Sequence, residues 1–492
     1  MKNRLMKMQM KTVLLICCVN VLGIYVVFTW VPHTWSQSNV SSHTSSNSST
    51  PREPEILDYD LHWRPDSHKF LKRVKGVDRR KEGVNVDVSD PGIDGPECDG
   101  GPGVPGKETF TKIGEDIFVF SAFYDDRMNQ PFIRMIAAYK NRQYRTLFNR
   151  MNCLFEINIR GGHSKFMSTN VTFYEMCENH RKSYGGWILS CAVPEEAGVP
   201  VSVRIYEGAR YAVTLVPSTE ICIISAARNI ETRPLDFGLC VPPMFGSLKP
   251  KDLIEFIEFN RLLGVEKFLL YIEASDTPIS TSALKILKYY ESLKVVHLIQ
   301  WALPFDHQSI WYHGQSLAIN DCLYRHMKRF HHLAFTDLDE FIVPKNGVHS
   351  WSDMFEHLKA DIGDKFTRAG AFVFKTAYFS PEFSRHVFSN EVGSVVRANR
   401  TLHYSYRRHK VIVRPGRIFE LGIHHVSRAW PDEEHYSTVM VPKETAFIHH
   451  YRACVQEFGI RCNSRTQDFT VANIYGTQLE NKILKVMSDI VP

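Results

Sequence analysis

The sequence lacks the short motifs of several large enzyme classes. It contains no His-Glu-x-x-His pair, no Gly-x-x-x-x-Gly-Lys-Ser/Thr phosphate loop and no Gly-x-Gly-x-x-Gly turn after a predicted strand. The turn predicted at Gly161–Ser164 does not complete the Gly-x-Ser-x-Gly elbow of serine hydrolases. A Cys-x-x-Cys zinc pattern is also absent. These absences disfavour zinc proteases, P-loop enzymes, dinucleotide enzymes and such hydrolases.

Strong charge of either sign is also missing. The 492 residues carry 59 Lys and Arg against 53 Asp and Glu, and the resulting net charge of +6 indicates neither an anionic nor a cationic partner. Charged residues make up 23% of the chain and hydrophobic residues 44%, which is typical of a globular protein. A chain of this length exceeds one ordinary core, so we expect one large or two smaller domains.

A long apolar run occurs near the N-terminus. Residues Thr12–Val31 are interrupted only by Asn20 and follow several basic residues. The run is long enough to cross a bilayer, and the preceding positive charge places the N-terminus in the cytosol. The run ends in bulky residues, whereas a cleaved signal peptide has an apolar core of about 7–15 residues that ends in small ones. We therefore predict a cytosolic tail at 1–11 and a retained transmembrane anchor at 12–31.

The segment after the anchor has the composition of a flexible stem. Residues Ser36–Thr50 are almost all Ser, Thr, Asn, Gln and His, which cannot form a core. Turn-forming residues follow, so 32–108 is predicted to be a lumenal stem. Eleven cysteines fit an oxidising compartment, with disulfides whose connectivity the spacing does not give. Four Asn-x-Ser/Thr sequons predict glycosylation on the same side, at Asn39, Asn47, Asn170 and Asn399.

The remaining chain divides by pattern at about residue 235. Residues 109–234 are predicted to be a small β-rich domain, with helical spacing only in Pro131–Lys140, which we interpret as a helix. Residues 235–492 begin with four predicted strands that alternate with three helices. The strands are Leu239–Phe245, Lys267–Ile272, Val295–Trp301 and Leu333–Thr336. The predicted fold class is therefore α/β, a mostly parallel sheet with helices on both faces, preceded by the β-rich domain, the stem and the anchor.

Two carboxylates directly follow the fourth of these strands. Asp337 and Asp339 come after Thr336, with Glu340 beside them. Burying such a cluster without a cation is costly, and open parallel sheets bind ligands beyond the carboxyl ends of their strands. Mg²⁺ and Mn²⁺ prefer oxygen ligands and often bind through one or two carboxylates plus substrate phosphates. The pattern predicts a metal–diphosphate site.

Further ligands and positive charge are expected downstream. Two His-His pairs lie at predicted strand ends, at 424–425 and 449–450. The segment Arg397–Arg417 carries seven basic residues and no acidic one. Because Arg binds phosphate through bidentate hydrogen bonds, this segment is either a phosphate-binding stretch or a solvated basic face that could contact anionic lipid.

Five short motifs, taken in order, resemble those of glycosyltransferase family 92. They are Cys240–Gly246 (CVPPMFG), Gly314–Cys322 (GQSLAINDC), Asp337–Phe341 (DLDEF), Gly422–His425 (GIHH) and His450–Arg452 (HYR). The resemblance covers about residues 235–460, half of the chain. It implies a GT-A fold, a Golgi type II membrane enzyme, Mn²⁺ as cofactor, and transfer of galactose from UDP-galactose with inversion to a β linkage.

The resemblance also implies roles for the residues of the metal site. Asp337 and Asp339 would hold Mn²⁺ and the diphosphate of UDP, with Asp339 favoured for direct ligation. Glu340 would orient the site, as residues behind metal ligands commonly do. Either His450 or His425 would complete the coordination.

An inverting transfer also needs a general base that deprotonates the acceptor hydroxyl. Asp432 is predicted for this role, in an acidic loop with residues 433 and 434 that follows Trp430, whose ring could stack on a sugar. Asp321 and Glu391 remain alternatives.

The remaining expectations concern the donor and other partners. Glu273 is predicted to contact the uridine, and Lys410 and Arg452 the phosphates. The predicted partners are UDP-galactose, a glycoprotein glycan as acceptor and the Golgi membrane, with a homodimer left open and nucleic acid excluded on the lumenal side. Two alternatives stay open: a transferase for another UDP-sugar, and a catalytically inactive lumenal glycan-binding protein that keeps the fold.

Overall fold

The structure describes most of the chain from residue 109 onward. The computed structural model describes residues 109–140, 150–159, 163–208, 218–224, 234–274, 278–383, 393–430, 436–456 and 460–490, all within Val84–Pro492. The predicted tail, anchor and stem lie outside these residues. Among the helices of the described ranges, none is both long and apolar enough to cross a membrane.

The first sheet contains eight strands. They are β1 (Thr111–Gly114), β2 (Ile117–Asp125), β3 (Phe132–Lys140), β4 (Met151–Ile159), β5 (His163–Glu175), β6 (Tyr184–Ala192), β7 (Ser202–Glu207) and β8 (Ser218–Ile224). Their order is β1-β2-β3-β6-β5-β4-β7-β8, and β8 also pairs with β2, so the sheet closes on itself and protects its edges. A disulfide between Cys153 and Cys191 joins β4 to β6 across an apolar interior that includes Trp187.

Strand β3 replaces the helix that the sequence predicts over Pro131–Lys140, so that prediction is wrong. All residues of the strand except Lys140 are buried. Ile133 faces the interior of the first sheet, whereas Ile136 and Ala138 pack in a second core shared with the next sheet. Because both faces of β3 are apolar, the run shows no alternation, and pairing with β2 and β6 decides its conformation.

The remaining strands form a second large sheet and two small ones. They are β9 (Leu235–Met244), β10 (Lys267–Glu273), β11 (Val296–Trp301), β12 (Phe330–Phe335), β13 (Glu340–Pro344), β14 (Ala369–Tyr378), β15 (Asn399–Thr401), β16 (Ser405–Val413), β17 (Ile418–Leu421), β18 (Val426–Ala429), β19 (Ser437–Met440), β20 (Ala446–His450) and β21 (Arg465–Gln467). The large sheet has the order β11-β10-β9-β12-β16-β14-β20-β13, with β19 beside β14, and the small sheets pair β15 with β21 and β17 with β18. In the described part of the large sheet five of eight pairings are parallel, including those that join β9 to β12 and β10.

The helices cover both faces of the large sheet unequally. They are α1 (Pro250–Leu262), α2 (Thr281–Ser292), α3 (Gln315–His326), α4 (Trp351–Ile362), α5 (Asp364–Arg368) and α6 (Thr470–Ile490). α1, α2, α4 and α6 contribute to the core on one face, whereas α3 shares the opposite core with the first sheet. Cys240 of β9 forms a disulfide with Cys322 of α3. The predicted mixed α/β architecture is confirmed, and α4 to α6 extend it beyond the three helices that the sequence analysis placed between the first four strands.

Candidate active site

The predicted carboxylates lie in the turn between β12 and β13. β12 pairs in parallel with β9, so Asp337 and Asp339 follow the carboxyl end of the fourth parallel strand. The Glu340 N–H donates to the Asp337 carbonyl at 3.2 Å, and the Asp337 N–H donates to the Glu340 carboxylate at 3.0 Å. The side chains of Asp337 and Asp339 are 38% and 41% exposed, whereas that of Glu340 is 1% exposed. Two accessible carboxylates therefore stand in front of a buried one.

A buried lysine balances the charge of this cluster. Lys410 lies on β16, next to β12, with its Nζ 3.0 Å from Asp337 Oδ2 and 3.1 Å from Glu340 Oε2. Burial alone would lower the pKa of Lys410, but the two carboxylates raise it above its ordinary value. Burial would raise the pKa of Asp337, but Lys410, His424 and His450 lower it, whereas burial raises the pKa of Glu340 despite Lys410. The buried ammonium of Lys410 is therefore paired with the accessible carboxylate of Asp337, an arrangement that makes the buried charge tolerable.

His450 faces the carboxylates from β20, which pairs directly with β13. Its Nε2 lies 3.3 Å from Asp339 Oδ2 and its Nδ1 lies 3.5 Å from Glu340 Oε1. The Tyr378 ring stacks on the imidazole with 4.9 Å between centroids. The Tyr451 N–H donates to the Asp339 carbonyl at 2.8 Å, which fixes the turn relative to β20. The backbone ladder of β13 and β20 thus holds His450 opposite Glu340.

Asp339 and His450 together offer an oxygen and a nitrogen donor on the accessible side of the site. Two neighbouring ligands about 2.1 Å from an octahedral ion are about 3 Å apart, close to the 3.3 Å between these two atoms. The carboxylate suits Mn²⁺ or Mg²⁺, and the imidazole nitrogen favours a transition-metal ion over Mg²⁺. Within the ranges that the structure describes, no group of three or more His, Cys, Asp or Glu residues is arranged to hold a metal. Water and substrate oxygens would therefore complete the shell of an ion bound here.

His424 belongs to the same site, although the sequence analysis named it only as part of the 424–425 pair and favoured its neighbour His425 as a ligand. Its Nδ1–H donates to the His409 carbonyl at 3.0 Å, and its Nε2 accepts from the Arg408 guanidinium at 2.9 Å. Burial, with the charges of Lys410 and Arg408, lowers the pKa of His424 well below its ordinary value. The ring is therefore neutral and serves as a fixed acceptor for the arginine.

His425, which the sequence predicts as a metal ligand, points elsewhere. Its Nδ1 lies 4.0 Å from Glu178 Oε1, and its Nε2 is 3.3 Å from the Ser427 hydroxyl. No ion pair among the described residues joins it to Asp337 or Asp339. Of the two predicted histidine ligands, the structure brings only His450 to these carboxylates. The turn between β17 and β18 directs the ring of His425 away from that of its neighbour His424, toward Glu178.

A pocket of about 410 Å³ is lined in part by Tyr312, which lies within electrostatic reach of Asp337 and Asp339. Its lining includes Phe245, which follows β9, and Tyr312 and His313, which precede α3. Tyr312 and His313 have φ values of 43° and 55°, a left-handed conformation that is uncommon for residues with side chains and concentrates at functional sites. Burial and the charges of the two exposed aspartates raise the pKa of Tyr312. His313 stacks on Phe245 at 3.8 Å, and its Nδ1 is 2.8 Å from Glu273 Oε2.

The predicted donor-binding residues surround the site in different ways. Glu273 is buried behind His313, so the structure places the imidazole rather than the carboxylate at the pocket. Lys410 is buried against the carboxylates. Arg452 is exposed just after β20, and its charge acts on Tyr312 and Tyr378. Of the three predicted residues, Lys410 therefore contacts the carboxylates directly, Arg452 lies within electrostatic reach of tyrosines beside them, and Glu273 reaches the pocket only through His313.

Much of the basic segment Arg397–Arg417 has a structural role. The Arg414 and Arg417 guanidinium groups donate to backbone carbonyls of residues 366–369. Arg400 pairs with Asp468 at 3.3 Å. A solvated basic face is therefore not the main purpose of this segment. Arg408 and Lys410, from the strand in its middle, instead face the carboxylate site.

The predicted general base lies outside the described residues, as does Glu391. Asp432 falls in the gap between residues 430 and 436. Asp321 is 0% exposed and pairs with Arg325 at 2.9 Å, so it cannot reach a substrate. Trp430 is buried with an arginine guanidinium 3.9 Å from its ring centre, and is not available to stack on a sugar.

Two of the four predicted glycosylation sites lie in the described part of the chain. Asn170 is exposed on β5. Asn399 is half-buried on β15, where its amide donates to the Phe383 carbonyl at 3.3 Å. Asn39 and Asn47 lie outside the described residues. All four remain predictions.

Sequence reasoning missed several residues that the structure gathers at this site. Phe245 follows β9 just as Asp337 follows β12, so its position after an adjacent parallel strand was an available signal. Tyr312 and His313 immediately precede the Gly314 motif, but the sequence carries no sign of their left-handed backbone. Arg408 was one of seven basic residues, and only the contact with His424 distinguishes it.

Comparisons with known proteins point to one enzyme family. The family model of glycosyltransferase family 92 matches residues 236–485. The β-1,4-galactosyltransferase galt-1 of Caenorhabditis elegans is 31% identical over 351 residues, 70% of this chain and 76% of that protein. The glycosyltransferase family 92 protein F13G3.3 of the same organism is 23% identical over 53% of this chain and 49% of that protein. The galactan β-1,4-galactosyltransferase GALS2 of Arabidopsis thaliana is 30% identical over 35% of this chain and 32% of that protein.

Proposed function

The chain belongs to glycosyltransferase family 92, and on this premise we propose that it transfers galactose from UDP-galactose to a terminal sugar of glycoprotein glycans. Galactose is proposed because three of the matching relatives are named β-1,4-galactosyltransferases. The reaction forms a glycosidic bond to an acceptor hydroxyl, inverts the anomeric carbon to a β linkage and releases UDP.

The observation that carries this proposal is the charge arrangement at the end of β12. Asp337 and Asp339 face solvent beside Lys410, and Asp339 approaches His450 at 3.3 Å. Two carboxylates alone would repel the diphosphate of a sugar nucleotide. A divalent cation between them and the phosphates removes this repulsion, which is how carboxylate sites commonly bind such substrates.

We propose Mn²⁺ as the cofactor, held by Asp339 and His450 with Asp337 beside them. When bound, the ion neutralises the negative charge that develops on the leaving UDP. Lys410 and Glu340 act as supports: the lysine pairs with Asp337 and Glu340, and Glu340 accepts the Asp337 N–H. These contacts hold the accessible carboxylates in one geometry before the donor arrives, and such pre-organisation favours catalysis.

The donor is proposed to lie between two groups of residues. Arg408 and Arg452 would contact its phosphates, since guanidinium groups bind phosphate oxygens in pairs. The uracil ring would occupy the pocket lined by Phe245 and Tyr312. Glu273 then acts indirectly: it contacts His313 and keeps this imidazole stacked on Phe245.

The compartment and the base complete the proposal. Three disulfides join described residues, which fits a lumenal location behind the predicted anchor at 12–31, and we propose the Golgi membrane.

Asp432 is proposed as the general base, because Asp321 is committed to its ion pair with Arg325. The base must come within hydrogen-bond reach of the acceptor hydroxyl.

Release of UDP from UDP-galactose, measured with and without Mn²⁺, tests this proposal. We expect metal-dependent release that falls about a hundredfold or more in Asp339→Asn, since removing an electrostatic contact of the reacting group typically costs this much. The exposed Asp361 on α4 provides a matched control, Asp361→Asn. Other UDP-sugars, tested in parallel, check the choice of galactose. Glycan binding without any turnover by the wild-type chain would contradict the enzyme assignment.

A further inference from the structure

The connection between β5 and β6 exchanges a pair of carboxylate–backbone hydrogen bonds with the small β17–β18 sheet, next to the candidate site. Glu178, in the connection between β5 and β6, accepts from the Ile423 N–H at 2.5 Å. In return Glu420 of β17 accepts from the Cys177 N–H at 2.8 Å and from the Tyr174 hydroxyl at 2.7 Å. The two carboxylate residues are 7% and 1% exposed. We call these reciprocal contacts of Glu178 and Glu420 the carboxylate clasp.

The turn between β17 and β18 is shaped around this clasp. A Cβ on Gly422 would lie 2.6 Å from His425 Cε1 and 3.0 Å from Glu178 Oε2, so a larger residue here would displace one or both of these side chains. The Gly422 N–H donates to the His425 carbonyl at 3.0 Å. Asn320 of α3 holds the preceding residue from both sides, since its amide accepts from the Leu421 N–H and donates to the Leu421 carbonyl, each at 2.9 Å. The turn is therefore held by contacts from two other elements.

The same turn carries His424 to the active site. The His424 ring accepts from Arg408, and its charge environment includes Asp337 and Lys410. A displacement of the turn would move the acceptor of the Arg408 guanidinium. Glu178 is thus linked to Arg408 in two steps: it holds the backbone at Ile423, and the adjacent His424 accepts the hydrogen bond from Arg408.

We propose that Glu178 is a positioning residue for the transfer reaction: it fixes residues 422–425, which orient His424 and, through it, Arg408 toward the diphosphate of the donor. The catalytic consequence rests on the proposed function. Glu178 touches no substrate, so its contribution is geometric. This inference gives the first sheet, which lies outside the family match at 236–485, a part in the reaction.

Donor kinetics of three variants of the full chain test the proposal. In Glu178→Ala we expect the KM for UDP-galactose to rise about tenfold, with the acceptor KM and kcat changed less than about twofold, because a misplaced binding group weakens binding of the donor. Glu178→Gln keeps an oxygen that accepts the Ile423 N–H and should restore most of the donor KM. Glu175→Ala is the matched control, since this carboxylate is exposed and accepts a local hydrogen bond from the Asn179 amide at 2.7 Å.

Amide hydrogen exchange gives a second readout that does not depend on turnover. We expect faster exchange at residues 420–426 in Glu178→Ala, and exchange like the wild type there in Glu178→Gln and Glu175→Ala. An unchanged donor KM and unchanged exchange in Glu178→Ala would overturn the proposal, and so would faster exchange across the whole chain. If the wild-type chain released no UDP, the proposed function would fail, while exchange at Ile423 and affinity for UDP would still decide whether Glu178 positions the turn.

Discussion

Two histidine pairs present one ring each to the same site, and they do so by different means. In the strand pair, on β20, neighbouring side chains point to opposite faces of the sheet. His450 therefore reaches Asp339 at 3.3 Å, whereas His449 is fully buried between the rings of Phe379 and Phe447. The backbone ladder with β13 alone determines which of the two histidines faces the carboxylates.

The turn pair has no such ladder. His424 turns toward Arg408, and His425 turns toward Glu178 of the first sheet. The position of this pair depends on a hydrogen bond between residues 245 apart in the sequence. The contrast shows that the position of His450 is set within the second large sheet, whereas the position of His424 depends on a contact with the first sheet.

The largest expected loss of activity distinguishes His450 of the strand pair from His425 of the turn pair. His450→Ala should lower kcat/KM about a hundredfold, because it removes a proposed metal ligand and leaves Asp339 without its partner. His425→Ala should change kcat/KM less than about threefold, since its side chain is 42% exposed and contacts neither aspartate. Steady-state kinetics on purified full-length variants make the comparison. A loss in His425→Ala as large as that in His450→Ala would reverse the assignment.

A smaller effect is expected from the turn pair. His424→Ala should raise the donor KM about tenfold, because Arg408 loses a charge-assisted hydrogen bond of about 1.5–3 kcal/mol that orients it. Since His424 acts through Arg408, adding His424→Ala to Arg408→Ala should cause little further loss, and a double-mutant cycle measures this coupling. Fully additive effects would show that the two side chains act independently.

The smallest effect on activity is expected for a third histidine pair, His331-His332 on β12, which takes no part in the site and instead affects stability. His332 packs between Phe237 and Phe355, and burial with the charge of Arg414 lowers its pKa to about 3. The unfolded chain therefore binds one more proton than the native chain from about pH 6.5 down to about pH 3. The free energy of unfolding should fall with decreasing pH in that window, by about 1.4 kcal/mol per pH unit from this residue.

His332→Phe isolates this contribution. It should reduce the slope of the unfolding free energy against pH by about one proton between pH 6 and 4, and leave donor kinetics at neutral pH within about twofold of the wild type. Denaturation at several pH values measures the slope. A slope equal to that of the wild type would mean that His332 is protonated in the native chain.

Local patterns could predict one half of this molecule and not the other. The parallel strands β9–β12 alternate with amphipathic helices, so the sequence places Asp337 and Asp339 at a strand end. The strand conformation of β3 could not be predicted, because its apolar residues pack into two different cores and so show no alternation. Assigning His450 needs only the alternation of a strand, whereas assigning His424 needs the contact of Glu178 with Ile423, which no local pattern encodes.

Mn²⁺ binding in the presence of UDP tests the central claim most directly. Paramagnetic resonance of free Mn²⁺, titrated with the wild-type chain, His450→Ala and His425→Ala, gives the affinity without any turnover. We predict one bound ion per chain, an affinity about 10–100-fold lower in His450→Ala, and an affinity like that of the wild type in His425→Ala. Equal affinity in His450→Ala and the wild type, or a loss confined to His425→Ala, would contradict the account.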